Sequence, residues 1–149
     1  MVDRLEGEHM PVEKIEIEVT VEAPIRAVWH HWNTPSEIMQ WNTASEDWHT
    51  TKSEVDLRVG GTYSSRMEAK DGSFGFDFAG TYTRIEDHRL IESKFWDRVL
   101  LVEFVPVDGG VIVRETFDPE QEHSIEQQRS GWLAILTNFK KHVESALRA

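Results

Sequence analysis

SIEQQRSGWLAILTNFKKHVESAL, residues 124–147, is the stretch that decides how this chain folds. Ile125, Trp132, Ile135, Leu136, Phe139, Val143 and Leu147 recur at the spacing of one helical face, which predicts a long, capped amphipathic helix. Gln128 interrupts that apolar stripe one turn before Trp132. A helix of this kind needs an apolar surface to lie on. The strand VIVRETF, residues 111–117, carries Glu115 among apolar residues of its own parity, so Glu115 and Gln128 are expected to look into one apolar space. That is the outline of a binding cavity.

Working back from the helix, VDGG at 107–110 joins two apolar runs through a symmetric loop, and the loop fixes the pairing. Phe104 then faces Val113, Val102 faces Glu115, Leu100 faces Phe117, and Glu103 faces Arg114 on the other side. Glu103 and Arg114 become an outer-face ion pair worth roughly 0.2–1 kcal/mol. Glu115 has no such partner and shares its face with Leu100, Val102, Phe104, Val113 and Phe117. A carboxylate there is costly unless it is hydrogen-bonded, paired, near water or protonated. It is either a ligand-orienting or acid/base group, or a structural Glu tied to Gln128, Trp132 or a buried Arg.

Earlier in the chain, Ile15, Ile17, Val19 and Val21 alternate with polar residues and predict a half-buried first strand. Pro24 opens a short helix with Ile25, Val28, Trp29 and Trp32 on one face. Thr34, Pro35, Ser36 and Glu37 read as a capping box for a second short helix, and residues 42–54 read as a polar loop around Trp48. From Glu54 onward the period is two, with Gly-Gly, Asp-Gly and Asp-His turns, as in an antiparallel meander. Residues 1–12 are expected to be a frayed tail, with Met10 a possible second start, and 13–149 a single domain.

Composition narrows the functional classes. The net charge of -11, with no basic stripe, repels polyanions, so neither nucleic acid nor an anionic membrane is an expected partner. The absence of cysteine removes disulfides, thiol nucleophiles and thiolate zinc sites. No signal peptide or run of about 18 apolar residues is present, so the expectation is a soluble cytoplasmic protein without membrane insertion. His30 and His31 lack the spacing of a metal motif, and GxSxG, GxGxxG and P-loop patterns are missing, so no metal or cofactor is expected. Nothing specifies an oligomer. Of six tryptophans, Trp29 and Trp32 belong to a core stripe, whereas Trp41 and Trp132 fall where a cavity mouth would lie.

VEAPIRAVWHHWNTPSEIMQW (21–41), EVDLRVGGTYSSRMEAKDGSFGFDFAGTYTRI (54–85) and VRETFDPEQEHSIEQQRSGWLAILTNFKKHVE (113–144) together resemble the START-like helix-grip superfamily. The branch they are most similar to is the one named for the activator of 90-kDa heat shock protein ATPase. The resemblance implies an α+β helix-grip fold: a seven-stranded curved antiparallel sheet wrapped around the C-terminal helix, two short helices after strand one, and a hydrophobic cavity between sheet and helix. It implies a cavity wall drawn from Trp41, Met67, Phe76, Phe78, Phe95, Phe104, Glu115, Gln128, Trp132 and Leu136. It transfers no catalytic triad. The leading expectation is a non-enzymatic binding protein for a small hydrophobic or aromatic molecule. Its rivals are an enzyme of cyclase, dehydratase or hydrolase type using Glu115 as acid or base, and a chaperone-interacting or stress-response module. The chain shows no second domain like that of the eukaryotic co-chaperones, which argues against chaperone ATPase activation.

Overall fold

A computed structural model describes residues 13–148; the expectations for a tail over 1–12 and a second start at Met10 fall outside these residues. The chain runs β1 (Ile15–Val21), α1 (Ile25–Asn33), α2 (Pro35–Trp41), β2 (Trp48–Val55), β3 (Thr62–Ala69), β4 (Gly75–Glu86), β5 (Leu90–Phe95), β6 (Arg98–Val107), β7 (Gly110–Phe117) and α3 (Ile125–Arg148). The seven strands form one antiparallel sheet in the order β1-β7-β6-β5-β4-β3-β2, so the first strand returns to pair with the last. The sheet curls into a half-barrel that holds α3, the α+β helix-grip architecture expected from the resemblance.

The β6–β7 hairpin has the register its turn dictates: Phe104 opposite Val113, Val102 opposite Glu115, Leu100 opposite Phe117. Gly109 makes the two-residue turn possible, because its φ of +81° lies where a side chain would be strained. On the outer face Arg114 does approach Glu103, at 3.8 Å, but its closest partner is Glu18 on β1, at 2.9 Å. The hairpin alone could not reveal that third strand.

Helix α3 is capped as its sequence asks. Ser124 Oγ accepts from the Gln127 N–H and Gln127 Oε1 accepts from the Ser124 N–H, each at 3.0 Å, a reciprocal capping box. Leu136, Phe139 and Val143 are fully buried, while Ile125 (44% exposed) and Leu147 (49%) lie at the helix ends beyond the sheet's grip. Phe139 is the centre of the grip, with Trp32 and Trp41 edge-on to its ring at 4.9 Å each.

Two local expectations are corrected. Residues 48–55 are not loop but the edge strand β2, paired with β3 from Trp48↔Ala69 to Val55↔Tyr63. Only Thr50 in it is buried, so there is no apolar alternation to read; polar edge strands of this kind resist unwanted pairing. The capping box at Thr34 is also absent. Thr34 Oγ1 instead donates to the His30 carbonyl at 2.6 Å, closing α1, and Glu37 turns away to His31 and His142.

Phe139→Ala is expected to lower unfolding free energy by about 3–5 kcal/mol in urea denaturation, and Leu147→Ala by about 0.5 kcal/mol or less. Comparable losses at the two positions would mean that the helix is not held at its middle.

Candidate functional site

The curled sheet is wider than one helix can cover. Beside Phe139 the trough is filled; toward the N-terminal half of α3 it is left open as a cavity of 320 Å³, at the small end of ligand pockets. Its floor is the concave face of β2 to β7, its roof Trp132 and Ile135 of α3, and one end wall Trp32, Ile38 and Trp41 from the short helices. Phe76 (37% exposed) and Trp96 (66%) are the most open of its large apolar residues and mark the mouth.

Glu115 lies in this floor at 6% exposure. Its neighbours across the sheet are Ile17 on β1 and Val102 on β6. Among the described residues no group hydrogen-bonds its carboxylate and no cation stands beside it; burial alone pushes its pKa from 4.5 up to about 8. At neutral pH it is therefore mostly the uncharged acid. Tyr63 is the titratable group that senses it, its own pKa raised by burial first and by the Glu115 charge as a lesser cause.

Tyr63 reaches across the sheet because of one glycine. It pairs with Gly80 on β4, where a Cβ would lie 2.5 Å from the Tyr63 hydroxyl and 2.8 Å from the Lys94 carbonyl. Over that bare backbone the Tyr63 hydroxyl meets Ser93 Oγ on β5 at 2.9 Å. Ser93 and Ser65 are themselves buried in the floor, and Ser65 Oγ lies 3.4 Å from Ser53 Oγ. The cavity is thus apolar with a short line of hydroxyls and one unpaired carboxyl.

Of the residues expected to line it, Trp41, Met67, Phe76, Phe78, Glu115, Gln128 and Trp132 lie on the wall. Phe95, Phe104 and Leu136 lie behind it in the core, at 0%, 2% and 1% exposure. Phe104 is wedged edge-on against Trp29 and Trp32, and Phe95 packs on Phe78 and Trp132. Inward parity told which face they share, but not how far along the trough the helix fills it.

The expected meeting of Gln128 with Glu115 does not form. Gln128 Oε1 accepts from the Glu120 N–H at 2.8 Å, and Nε2 donates to the carbonyls of Glu120 (3.2 Å) and His123 (2.9 Å). It clasps the segment leading into α3, whose backbone groups would otherwise be unpaired. Trp132 does not tie Glu115 down either; it stacks on Phe117 at 3.8 Å. Trp41 spends its N–H on the His31 carbonyl at 3.0 Å, so it offers the cavity only its ring.

Tyr63 and Ser93 are wall residues that the residue pattern did not mark, and Trp32, expected in the core stripe, packs against the core and also reaches the wall. Ser93 carried the same signal as Glu115, a polar residue of buried parity between Ile91 and Phe95. Trp96 gave none, since nothing marks a tryptophan for a φ of +55°.

Outside the cavity, Glu37 on α2 accepts from His31 on α1 (3.0 Å) and His142 on α3 (2.7 Å), binding three helices together. The donor atoms lie within 4.8 Å of one another, a set of the type that holds divalent transition metals. Burial lowers the His31 pKa, and the bond from His142 lowers that of Glu37. Both shifts make acid destabilising: the Glu37 contribution is lost as pH falls below the ordinary carboxylate range, and neutral His31 must charge below about 6.5.

A curved antiparallel sheet gripping a C-terminal helix, with a cavity between them, defines a START-like helix-grip protein. Within that class, the family model for Activator of Hsp90 ATPase homolog 1-like protein matches residues 22–144, and the chain belongs to this family. An AHSA1-like protein from Aeromonas hydrophila, solved by solution NMR, is 50% identical, with 91% of this chain and 95% of that one covered at a TM-score of 0.86. A Cytophaga hutchinsonii protein is 43% identical, covering 91% and 94%, at a TM-score of 0.78. A crystal structure from Nitrosomonas europaea, only 17% identical over 92% and 97% of the chains, shares the fold at a TM-score of 0.75. A search of curated proteins finds no match. No helix among the described residues is long and apolar enough to cross a membrane.

The Glu115 shift carries a stability cost of known sign. Because its folded pKa is raised, the stabilisation it contributes is complete below pH 4.5 and is lost as pH rises through about 8. Against a neutral isostere the cost at pH 7 is on the order of 3 kcal/mol. Glu115→Gln should therefore raise the Tm by several degrees at pH 7, more at pH 8.5, and hardly at pH 4.5. An unchanged Tm at all three would mean that the carboxylate is paired or hydrated.

Proposed function

We propose that the protein is a binding protein for one small apolar or aromatic molecule, held in the cavity under α3 with its polar group at Glu115. The observation that carries this reading is the unpaired, buried carboxyl in the floor of an otherwise apolar cavity. A core that only had to be stable would place an aliphatic residue there, since an unsatisfied buried polar group is costly. A ligand group meeting Glu115 would offset that cost in the bound state alone. Membership of a family whose fold is consistent with ligand binding supports the same reading.

Acid/base catalysis by Glu115 is the weaker reading, because no second titratable side chain within the described residues hydrogen-bonds to it to share a proton transfer. A chaperone contact rests on the family's name.

Titration with a panel of naphthalene and indole derivatives should quench the tryptophan fluorescence saturably and raise the Tm. Ile135→Trp, which fills the roof of the cavity, should weaken binding at least tenfold while the far-UV circular dichroism stays unchanged. Quenching that survives Ile135→Trp would place the ligand elsewhere.

A further inference from the structure

Resting on that reading, we infer that the molecule the cavity selects carries a basic nitrogen: it is an apolar or aromatic amine, held as an ammonium against the Glu115 carboxylate. Three independent features converge on a cation. Glu115 is 94% withdrawn from solvent, has no hydrogen-bonding or ionic partner among the described residues, and lies on the cavity wall. The charged residues that share the cavity wall with it are Glu54 on β2, Glu120 ahead of α3 and Arg98 on β6; Glu54 is paired with Lys52 at 3.2 Å and Glu120 with His123 at 2.6 Å, so of these acids Glu115 is the one left for a ligand. Arg98 is already engaged, its Nε donating to the Asp118 carbonyl at 2.9 Å and its guanidinium lying 4.5 Å over the Phe95 ring. Across the whole chain the charge is -11, which draws cations toward the mouth and repels fatty or aromatic carboxylates.

The walls suit the same ligand. Trp32, Trp41 and Trp132 present ring surface to the cavity, and an ammonium gains from the face of such rings once water is excluded. A carboxylate ligand would meet Glu115 only by sharing the proton that Glu115 holds, and it would bring a further negative charge to a wall that already carries Glu54 and Glu120. A neutral alcohol gains one ordinary hydrogen bond, about half the strength of a charge-assisted one.

The proton balance follows. In the free protein at pH 7 Glu115 holds a proton. When an ammonium enters, that proton leaves to solvent and an ammonium–carboxylate pair forms in its place. The other titratable groups on the wall, Tyr63, Tyr82, Glu54, Glu120 and Arg98, make no hydrogen bond to the Glu115 carboxylate, and α1, α2 and α3 put no charged side chain on the wall. Tyr63 and Tyr82, with raised values, stay protonated throughout this range.

Isothermal titration of naphthylmethylamine, naphthylmethanol and naphthoate tests the inference on one apolar skeleton. At pH 7 the amine should bind at least tenfold tighter than the alcohol, and naphthoate at least tenfold more weakly than the alcohol. Titrations in buffers of different ionisation enthalpy should show about one proton released per amine bound, and amine affinity should rise about tenfold from pH 6 to pH 7 and level off above pH 8. In Glu115→Gln the amine-to-alcohol ratio should fall to within threefold. Amine and alcohol binding equally, naphthoate binding best, or no proton release would overturn the amine and leave the cavity as a ligand site. Failure of all three probes to bind would remove the cavity reading itself.

Discussion

A seven-stranded sheet curled into a half-barrel presents a concave face that one helix cannot cover, and the rest of the molecule follows from that mismatch. Where α3 sinks deepest, Leu136, Phe139 and Val143 close the trough, with Trp32 and Trp41 wedged against Phe139 from the short helices. Where α3 rides higher, Trp132 and Ile135 bridge the gap without filling it. The cavity is the residue of that geometry. Its position is set by Phe139 on one side and by the Trp132–Phe117 stack on the other.

Evolution of such a trough toward stability alone would fill it or line it with aliphatic side chains. Here the floor instead carries a carboxyl with its pKa pushed up to about 8 and the buried hydroxyls of Ser93 and Ser65. Tyr63 is laid over Gly80 to reach Ser93, an arrangement that requires a glycine in mid-strand. Departures from the best-packed solution, concentrated on one surface, are what a site looks like when binding and stability make different demands. The same contrast separates Glu115 from Glu37, Glu144 and Asp118, whose carboxylates meet His142, Lys140 and Lys14 and whose pKa values are all lowered.

The helix, the hairpin register and the inward placement of Glu115 were legible in the sequence because each rests on local periodicity joined to a turn that fixes pairing. What was illegible depended on contacts that no local rule reaches. Strand β2 is polar on both faces because it is an edge. Glu37 forms no capping box because His142, 105 residues away, takes its carboxylate. Gln128 lies on the face toward the cavity, as the helical period requires, yet its amide is consumed by Glu120 and His123 in the segment before α3. Periodicity gives a side chain's direction; only the fold decides which partner reaches it first. For Glu115 no partner arrives among the described residues, and from that fact the functional reading grows.

The most direct test of that fact is the ionisation of Glu115 in the free protein, followed by the chemical shift of its side-chain carboxyl carbon across pH 3 to 10. The account requires an inflection near pH 8, well separated from those of the paired carboxylates. An inflection between about pH 4 and 5 would show a solvated or partnered carboxylate and would contradict it.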